Sequence, residues 1–324
     1  MQAKSVRAQP PLPLASLLLF ALATLLLPLH GCAVVYYAGM PLVYDKAEPD
    51  SITEYVDERY FDGPTELDDK TRLDLFFPDG EDWPILVFAH GGGWTNGDKD
   101  LHVGGRDVYR NIGRYYASHG IGVAVINYRL LPGVHWRTQL RDVARAVLYT
   151  RSRAADAGAD TTRLFLSGHS AGAQLVSRVA LDEFILAELD ASTDVVCGVI
   201  GVSGAGYDLE DPETFALGAK PEYLETRYGR VDGTDTWSHD ASVLHFIDKD
   251  SPPFLLIHGE DEHPGFIRQT RLMAERLKES GVPVDTVVVD GYTHTRMVLA
   301  MSREDREAGP ATVAFVKGTT CGTR

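Results

Sequence analysis

The chain has 324 residues, of which 44% are hydrophobic and 24% are charged, and its formal net charge is −15. A chain of this length and composition can bury a sizeable core, which excludes a disordered, fibrous or disulfide-dense protein. The acidic balance argues against nucleic acid as a partner, because such a surface repels phosphate backbones. A neutral or cationic small molecule suits this surface better than a polyanion.

The first 31 residues predict an export signal. Lys4 and Arg7 form a short basic region, and a stretch rich in Leu and Ala follows from 12 to 29. This pattern is typical of a cleaved signal. The stretch is also long enough for a marginal membrane span, so an uncleaved signal anchor is the alternative. Under either interpretation the rest of the chain is exported and held at a membrane.

The run Leu29-His30-Gly31-Cys32, at the end of this segment, resembles the lipobox of a bacterial lipoprotein. The resemblance implies cleavage before Cys32 and attachment of lipid to that residue. The protein would then be anchored to the bacterial membrane, facing the periplasm or the outside. Ala33 follows the cysteine in place of the aspartate that marks the inner membrane, so the resemblance favours the outer membrane.

The sequence contains two further cysteines. Cys197 lies in an apolar run, and Cys321 lies near the end of the chain. The two could form a disulfide in an oxidising compartment. Two unpaired thiols are the simpler interpretation, and we predict them.

After a spacer at 32–50, residues 51–324 are predicted to form one α/β domain. Short β-rich runs alternate with helical patterns, which predicts a mostly parallel twisted sheet with helices on both faces. The predicted strands are 52–60, 72–77, 84–89, 122–127, 163–167, 195–202, 254–258 and 284–290. The predicted helices are 136–157, one that starts at Ala171, and 266–280. The long polar stretch 206–250 is predicted to be a small cap insertion over the functional site, because connections of that length usually carry function.

Ser170 lies in the run Gly168-His169-Ser170-Ala171-Gly172, between a predicted strand and a predicted helix. A G-x-S-x-G sequence in this context predicts the sharp turn of an α/β-hydrolase fold, which holds the serine hydroxyl at the carboxyl end of the sheet. The motif alone would also fit a glycine-rich turn with a capping serine, so the strand–turn–helix context decides. We predict that Ser170 is the nucleophile of a serine hydrolase.

A second glycine-rich run, His90-Gly91-Gly92-Gly93-Trp94, directly follows the strand that is predicted to end at residue 89. Acyl transfer places negative charge on the former carbonyl oxygen, and preorganised backbone N–H groups stabilise it. We predict an oxyanion hole formed by the N–H groups of Gly91, Gly92 and Ala171. A phosphate-binding loop, the alternative, would end in Gly-Lys-Ser/Thr, and this run does not.

The nucleophile needs a base, and the sequence offers 11 histidines. In this fold the order along the chain is serine, then acid, then histidine. His294 is the best placed, because it follows the last predicted strand in the run Asp290-Gly291-Tyr292-Thr293-His294-Thr295. No spacing of the histidines predicts a metal cluster, so no metal site is predicted.

The acid that orients the base is expected just after the predicted strand 254–258. Glu260, Asp261 and Glu262 follow one another there. A carboxylate holds the histidine tautomer and stabilises its cationic form. On position alone any of the three can serve, and the other two would be ordinary surface charges.

Together these runs resemble α/β-hydrolase carboxylesterases with a His-Gly-Gly-x-Trp oxyanion loop. Within them the chain is most similar to prenylcysteine-methylesterase-like enzymes, kynurenine formamidases and bifunctional feruloyl/acetyl-xylan esterases. The run 127–130 (Asn-Tyr-Arg-Leu) and the run 252–259 (Pro-Pro-Phe-Leu-Leu-Ile-His-Gly) also carry the resemblance. Relatives place Asp three residues after the glycine that ends the second run. Counting from Gly259, that position is Glu262, so the resemblance favours Glu262 as the acid, with Asp261 as the alternative.

The predicted function is that of a serine carboxylic ester hydrolase, which acts through an acyl-enzyme on a small or medium ester. The resemblance implies no cofactor and no metal. An amidase of the kynurenine-formamidase type would use the same three residues and is the first alternative. A binding protein that kept the fold and lost the chemistry is the second.

Overall fold

The computed structural model describes most of the chain, and all of its described residues fall in the compact unit Met40–Arg324. The described ranges are 44–49, 51–62, 70–218, 221–226, 233 and 235–322. The predicted signal at 1–31, Cys32 and part of the spacer lie outside them. Within these ranges, no helix combines the length and the apolar character that crossing a membrane requires.

Eight strands form one sheet in the order β1-β2-β6-β3-β7-β8-β9-β10, and β4 and β5 form a separate small hairpin. The strands are β1 (Ile52–Arg59), β2 (Arg72–Pro78), β3 (Ile85–Ala89), β4 (His102–Val103), β5 (Arg106–Asp107), β6 (Gly122–Ile126), β7 (Leu164–His169), β8 (Gly198–Val202), β9 (Phe254–Gly259) and β10 (Val284–Val289). In the described part of the large sheet, β2 pairs antiparallel with β1 and with β6, and every later pair in the order β6-β3-β7-β8-β9-β10 is parallel. The predicted mostly parallel sheet is therefore confirmed.

Helices lie between the strands and after the last one. They are α1 (Val108–Ser118), α2 (Trp136–Asp156), α3 (Ala171–Leu181), α4 (Glu183–Ala187), α5 (Pro212–Ala216), α6 (Pro221–Leu224), α7 (Trp237–Ala241), α8 (Pro264–Glu279), α9 (Met297–Ala300) and α10 (Ala308–Gly318). Short 3-10 turns cover Thr193–Val195 and Leu244–Phe246. The 136–157 helix predicted from its apolar stripe is present, and its stripe is buried at Leu140, Val143 and Val147.

The core lies around the central strands, whose continuous apolar runs are buried on both faces. Every residue of β3, β6, β7, β8 and β9 is buried, as expected for parallel strands covered by helices. The strand predicted from residue 195 begins only at Gly198. The reason is local, because the Ser192 side chain accepts a hydrogen bond from the Asp194 N–H and starts the Thr193–Val195 turn instead.

The stretch 206–250 forms short helices and turns where it is described. Asp211 caps α5 through the Thr214 N–H and forms a two-point ion pair with Arg268 of α8, at 2.6 and 2.7 Å. This pair ties the stretch to a helix that contacts β9 and β10. The role of the stretch as a cap stays a prediction.

The predicted unpaired thiols are wrong in this structure, because Cys197 and Cys321 form a disulfide with a Cα–Cα distance of 5.2 Å. The physical reason lies in the packing of α10. Phe315 of that helix makes an edge contact with Phe165 of β7, at 5.9 Å between ring centroids, and so brings the end of the chain to the start of β8. A separation of 124 residues hides this proximity in the sequence.

Reduction of this disulfide is expected to lower the free energy of unfolding by about 4 to 5 kcal/mol, because the cross-link restricts the unfolded chain over a loop of that size. Denaturant unfolding with and without a reductant measures the difference. A Cys197→Ala/Cys321→Ala double variant is the control and should not respond to the reductant. An unchanged midpoint for the reduced wild-type protein would contradict the expectation.

Candidate active site

Ser170 occupies the turn between β7 and α3 in a backbone conformation that side chains rarely adopt, with φ 55° and ψ −119°. Such a conformation costs of order 1–3 kcal/mol and persists only where the surrounding structure enforces it. Here the surrounding backbone is packed closely enough to enforce it. An added methyl group at Gly168 would collide with the Gly172 carbonyl, and one at Gly172 would collide with the Ala89 carbonyl. The strand–turn–helix arrangement therefore holds Ser170 at the carboxyl end of the sheet.

His294 lies directly against this serine. Its Nε2 is 2.9 Å from the Ser170 Oγ, a geometry in which the hydroxyl donates to the ring nitrogen. The residue follows β10, whose carboxyl end lies at the same edge of the sheet as that of β7 because the strands are parallel. The ring of Phe266 stacks on His294 with centroids 3.8 Å apart and planes 16° apart. This stacking fixes the orientation of the imidazole.

Glu262 is the carboxylate that meets the other side of this ring. Its Oε2 lies 3.4 Å from His294 Nδ1. Its Oε1 accepts hydrogen bonds from the Gly259 N–H, at 3.0 Å, and from the Ser203 hydroxyl. The structure brings Glu262 to the histidine and leaves the alternative, Asp261, exposed to solvent.

Burial of Glu262 opposes ionisation of its carboxyl group. The hydrogen bonds from His294, Gly259 and Ser203 outweigh burial, so the pKa of Glu262 lies below its usual value. The ionised carboxylate favours the tautomer with a proton on Nδ1 and leaves Nε2 free to accept the serine proton.

The glycine-rich run lies beside Ser170, after β3. An added methyl group at Gly91 would lie 3.2 Å from the Ser170 Cβ and 2.7 Å from His169 Nδ1. Ala171 is the first residue of α3, so its N–H has no acceptor within the helix. The structure thus brings Gly91 and Ala171 to the serine. Gly92 is the next residue of the same run, and the oxyanion hole formed by the three N–H groups stays a prediction.

Side chains from two helices hold this run in place. Trp94 is buried, and its indole N–H donates to the Gln174 Oε1 of α3 at 3.1 Å. The Trp94 carbonyl accepts from the Leu131 N–H at 3.0 Å and from Gln139 Nε2 of α2 at 2.9 Å. The donors of a preorganised hole must not move during reaction, and these contacts supply that rigidity.

Replacing Gly92 with alanine is expected to lower kcat for an ester by about 10²–10³, the usual effect of losing one oxyanion donor. Gly92 has φ +131°, and a methyl group there would collide with the Asn96 carbonyl. Steady-state kinetics measure the loss. Gly105→Ala is the matched control, since Gly105 also has a positive φ but has open space around it. Wild-type kcat in Gly92→Ala would contradict this assignment of the loop.

His169, next to the nucleophile, makes a contact with the His294 backbone that the sequence did not predict. Its Nε2 lies 2.9 Å from the His294 carbonyl oxygen, to which it donates. Burial is the main cause that lowers the pKa of His169, to about 3, so the ring is neutral near pH 7. A neutral ring here fixes the backbone of the histidine without adding a positive charge beside it.

Ser203 and Phe266 were also missed as supports of the site. Ser203 directly follows β8, the strand that pairs with β7 in parallel. This position is the one signal that could have indicated its contact with the site. Phe266 lies on α8, where a single aromatic residue in a helix gives no sign that it stacks on a histidine.

A cavity of about 370 Å³ opens at Ser170. Most of its lining is apolar, with Trp94, Leu209, Phe215, Leu224 and Phe266 as the larger side chains. Among the polar side chains, Gln269 is already engaged, since its amide bonds the backbone of Asp208 and the hydroxyl of Thr214. Asp208 and His263 also line it, but because the larger side chains are apolar, the cavity suits a largely apolar group held against the serine.

A mostly parallel sheet that carries a serine, a carboxylate and a histidine after the carboxyl ends of β7, β9 and β10 is an α/β-hydrolase fold. Solved structures agree. Esterase B from Lactobacillus rhamnosis has a TM-score of 0.69 at 21% identity, covering 94% of each chain. Thermogutta terrifontis esterase 2, solved after phosphoramylation by tabun, has a TM-score of 0.60 at 21% identity, covering 84% of this chain and 94% of that one. At these identities the likeness establishes the fold.

Within this fold the chain belongs to the BD-FAE esterase family, whose model matches residues 73–277, more than half of the sequence. Esterase LipC of Mycobacterium tuberculosis is 30% identical over 201 residues, covering 60% of this chain and 48% of that protein. The probable isoprenylcysteine alpha-carbonyl methylesterase ICMEL1 of Arabidopsis thaliana is 24% identical over 245 residues, covering 71% and 49%. The chain thus spans about half the length of these curated relatives. The family resemblance drawn from the motifs is confirmed.

Proposed function

We propose that the protein is a serine carboxylic ester hydrolase with Ser170, His294 and Glu262 as its catalytic residues. The observation that carries the proposal is the 2.9 Å contact between Ser170 Oγ and His294 Nε2, backed by a buried carboxylate and open to a cavity. The esterase family and the relatives named as esterases support the same chemistry.

In this mechanism the Ser170 oxygen attacks the ester carbonyl carbon while His294 Nε2 takes the hydroxyl proton. Glu262 stabilises the resulting imidazolium. The carbonyl oxygen becomes negative and accepts hydrogen bonds from the N–H groups of Gly91, Gly92 and Ala171. His294 then gives its proton to the alcohol oxygen, the C–O bond breaks, and the acyl group remains on the serine.

Water completes the cycle. His294 takes a proton from a water molecule, whose oxygen attacks the acyl carbon, and a second tetrahedral intermediate forms in the same oxyanion hole. When it collapses, the bond between the acyl carbon and the Ser170 oxygen breaks, His294 gives its proton to that oxygen, and the acid leaves. These steps involve only side chains and backbone groups of this chain, the ester and water.

The substrate we propose is a small or medium ester with an uncharged, apolar group on at least one side. A cavity of about 370 Å³ lies near the small end of the range of ligand pockets, roughly 300–1,000 Å³. Its apolar lining favours burial of hydrocarbon, and the net charge of −15 disfavours an anionic substrate.

A panel of p-nitrophenyl esters with acyl chains of increasing length tests the activity and its size limit. We expect hydrolysis of short chains and a fall in kcat/KM once the acyl chain exceeds the cavity. Parallel rates on N-formylkynurenine address the amidase alternative, and a higher kcat/KM on that amide would replace the ester assignment. No hydrolysis together with no labelling by a fluorophosphonate probe would favour a binding protein and overturn the enzyme proposal.

We further propose that residues 1–31 are a cleaved signal and that lipid on Cys32 anchors the protein to the outside of a bacterial membrane. The residues 32–50 would be the spacer between this anchor and the domain 51–324, and 206–250 would be the cap of that domain. The pattern of the first 32 residues supports this, and so does the Cys197–Cys321 disulfide, because disulfides persist in oxidising compartments outside the cytoplasm. Metabolic labelling with an alkyne fatty acid tests it, with Cys32→Ser as the control. Equal labelling of both chains would contradict attachment at Cys32.

A further inference from the structure

Three exposed side chains converge in the stretch between β8 and β9. They are Glu210, His239 of α7, and His245 of the turn Leu244–Phe246. One carboxylate oxygen of Glu210, Oε2, lies 3.3 Å from His239 Nδ1 and 3.0 Å from His245 Nε2. The two imidazole rings stack with centroids 3.8 Å apart. The spacing of these residues in the sequence, 29 and 35 positions from the glutamate, gave no sign of the cluster.

The donor set fits a transition-metal ion. Two imidazole nitrogens and one carboxylate oxygen form a ligand set that Zn²⁺ uses in sites whose fourth position holds water. Zinc–ligand bonds of about 2.0–2.1 Å place the ligand atoms of a tetrahedral site roughly 3.3 Å apart. The separations from Glu210 Oε2 are close to this value, and all three ligand atoms lie within 4.8 Å of one another. Mg²⁺ and Ca²⁺ prefer oxygen ligands, so this set selects against them.

Neighbouring groups hold the carboxylate in position. Ser238 Oγ lies 3.5 Å from the other oxygen of Glu210, Oε1, a long contact, while Oε2 is directed at the two rings. The Glu210 N–H donates to Asp208 Oδ1 at 2.8 Å, which fixes the backbone. Contacts of this kind around the ligands raise the affinity of a metal site by orienting the ligand atoms.

We propose that Glu210, His239 and His245 bind one Zn²⁺ ion, with water in the fourth position. The ligating nitrogens must be unprotonated, so a proton carried on either one moves to the other ring nitrogen or to solvent when the ion binds. The site lies outside the proposed catalytic machinery, and ester hydrolysis by Ser170 does not require it.

The ion would link one segment of the cavity wall to the neighbouring helix α7. Leu209 lines the cavity and directly precedes Glu210, and its N–H donates to the Ser242 hydroxyl at the end of α7, at 2.8 Å. A metal held by Glu210 and by His239 of α7 adds a second link between the same two segments. The structure thus assigns the ion a stabilising role beside the substrate cavity.

Isothermal titration of the full-length, tag-free protein with ZnCl₂ tests the proposal. We expect the wild type to bind one ion through this cluster. Glu210→Gln, His239→Ala and His245→Ala should each bind zinc at least about tenfold more weakly, because each removes one of three ligands. All three side chains are exposed, so the Tm of each variant in EDTA should stay within about 2 °C of the wild-type value. The titrations then compare proteins that are all folded.

His102 provides the matched control. It is also an exposed imidazole that pairs with a carboxylate, that of Asp107, but among the described residues this pair belongs to no three-ligand cluster. His102→Ala should therefore keep wild-type affinity, and MgCl₂ should not compete with zinc. Absence of zinc binding, or an equal loss of affinity in His102→Ala and His239→Ala, would overturn the proposal.

Discussion

Ser170→Ala is expected to lower kcat for a p-nitrophenyl ester by about 10⁴-fold or more, because removal of the nucleophile leaves only the contribution of binding and of the oxyanion hole. KM should change little, since the methyl group lies where the serine Cβ already lies. The burst of p-nitrophenol and labelling by a fluorophosphonate probe should both disappear.

Ser167→Ala is a well-matched control for this loss. Ser167 lies three residues earlier, in β7, and among the described residues its buried hydroxyl has no hydrogen-bond partner. Its removal should leave kcat within about twofold of the wild type, as for substitutions that touch no special feature. Activity retained by Ser170→Ala would require a different nucleophile and would reject the site.

Glu262→Gln is expected to lower kcat by about 10⁴-fold, because an amide favours the wrong histidine tautomer while it keeps the shape of the side chain. Asp261→Asn should leave kcat within about twofold, since this neighbour is exposed and makes its backbone contact, to the Tyr292 carbonyl, through its N–H. Comparison of these two variants decides which of the two carboxylates, Glu262 or Asp261, orients His294.

Kinetics of the two variants on one ester make this comparison, with the fluorophosphonate labelling rate as a second measure of serine activation. Glu262→Asp adds a test of reach, because its carboxylate is one methylene shorter and the contact with His294 is already 3.4 Å long. It should lie between the wild type and Glu262→Gln. An equal loss in Asp261→Asn and Glu262→Gln would reject Glu262 as the sole orienting acid.

The sheet and the positions of Ser170 and His294 at its carboxyl edge could be predicted because their signals are local. Apolar runs of five or six residues mark the buried parallel strands, and Ser170 directly follows one of them, β7. His294 comes five residues after the end of β10, a strand in which only Val289 is buried. The register of the acid needed more than local pattern, since three carboxylates lie together. The family resemblance, through the count from Gly259 and the later run 266–269, favoured Glu262.

The contacts that could not be predicted join residues far apart in the chain. Ser203 meets Glu262 across 59 positions, and His169 meets the His294 backbone across 125. Neither periodicity nor composition encodes such pairs, because they depend on which strands end side by side. The cluster around Glu210 depends on such a pairing too, and so does the disulfide, which the sequence offered only as the alternative to two free thiols.

The Cys197–Cys321 bond also changes what a thiol reagent can report. The sequence has three cysteines, and this bond occupies two of them. In the unreduced protein, reaction with a maleimide therefore measures only whether the sulfur of Cys32 is free. A folded, membrane-extracted chain that takes up no maleimide until it is reduced would carry a blocked Cys32, whereas one equivalent of label would mean that this sulfur is free.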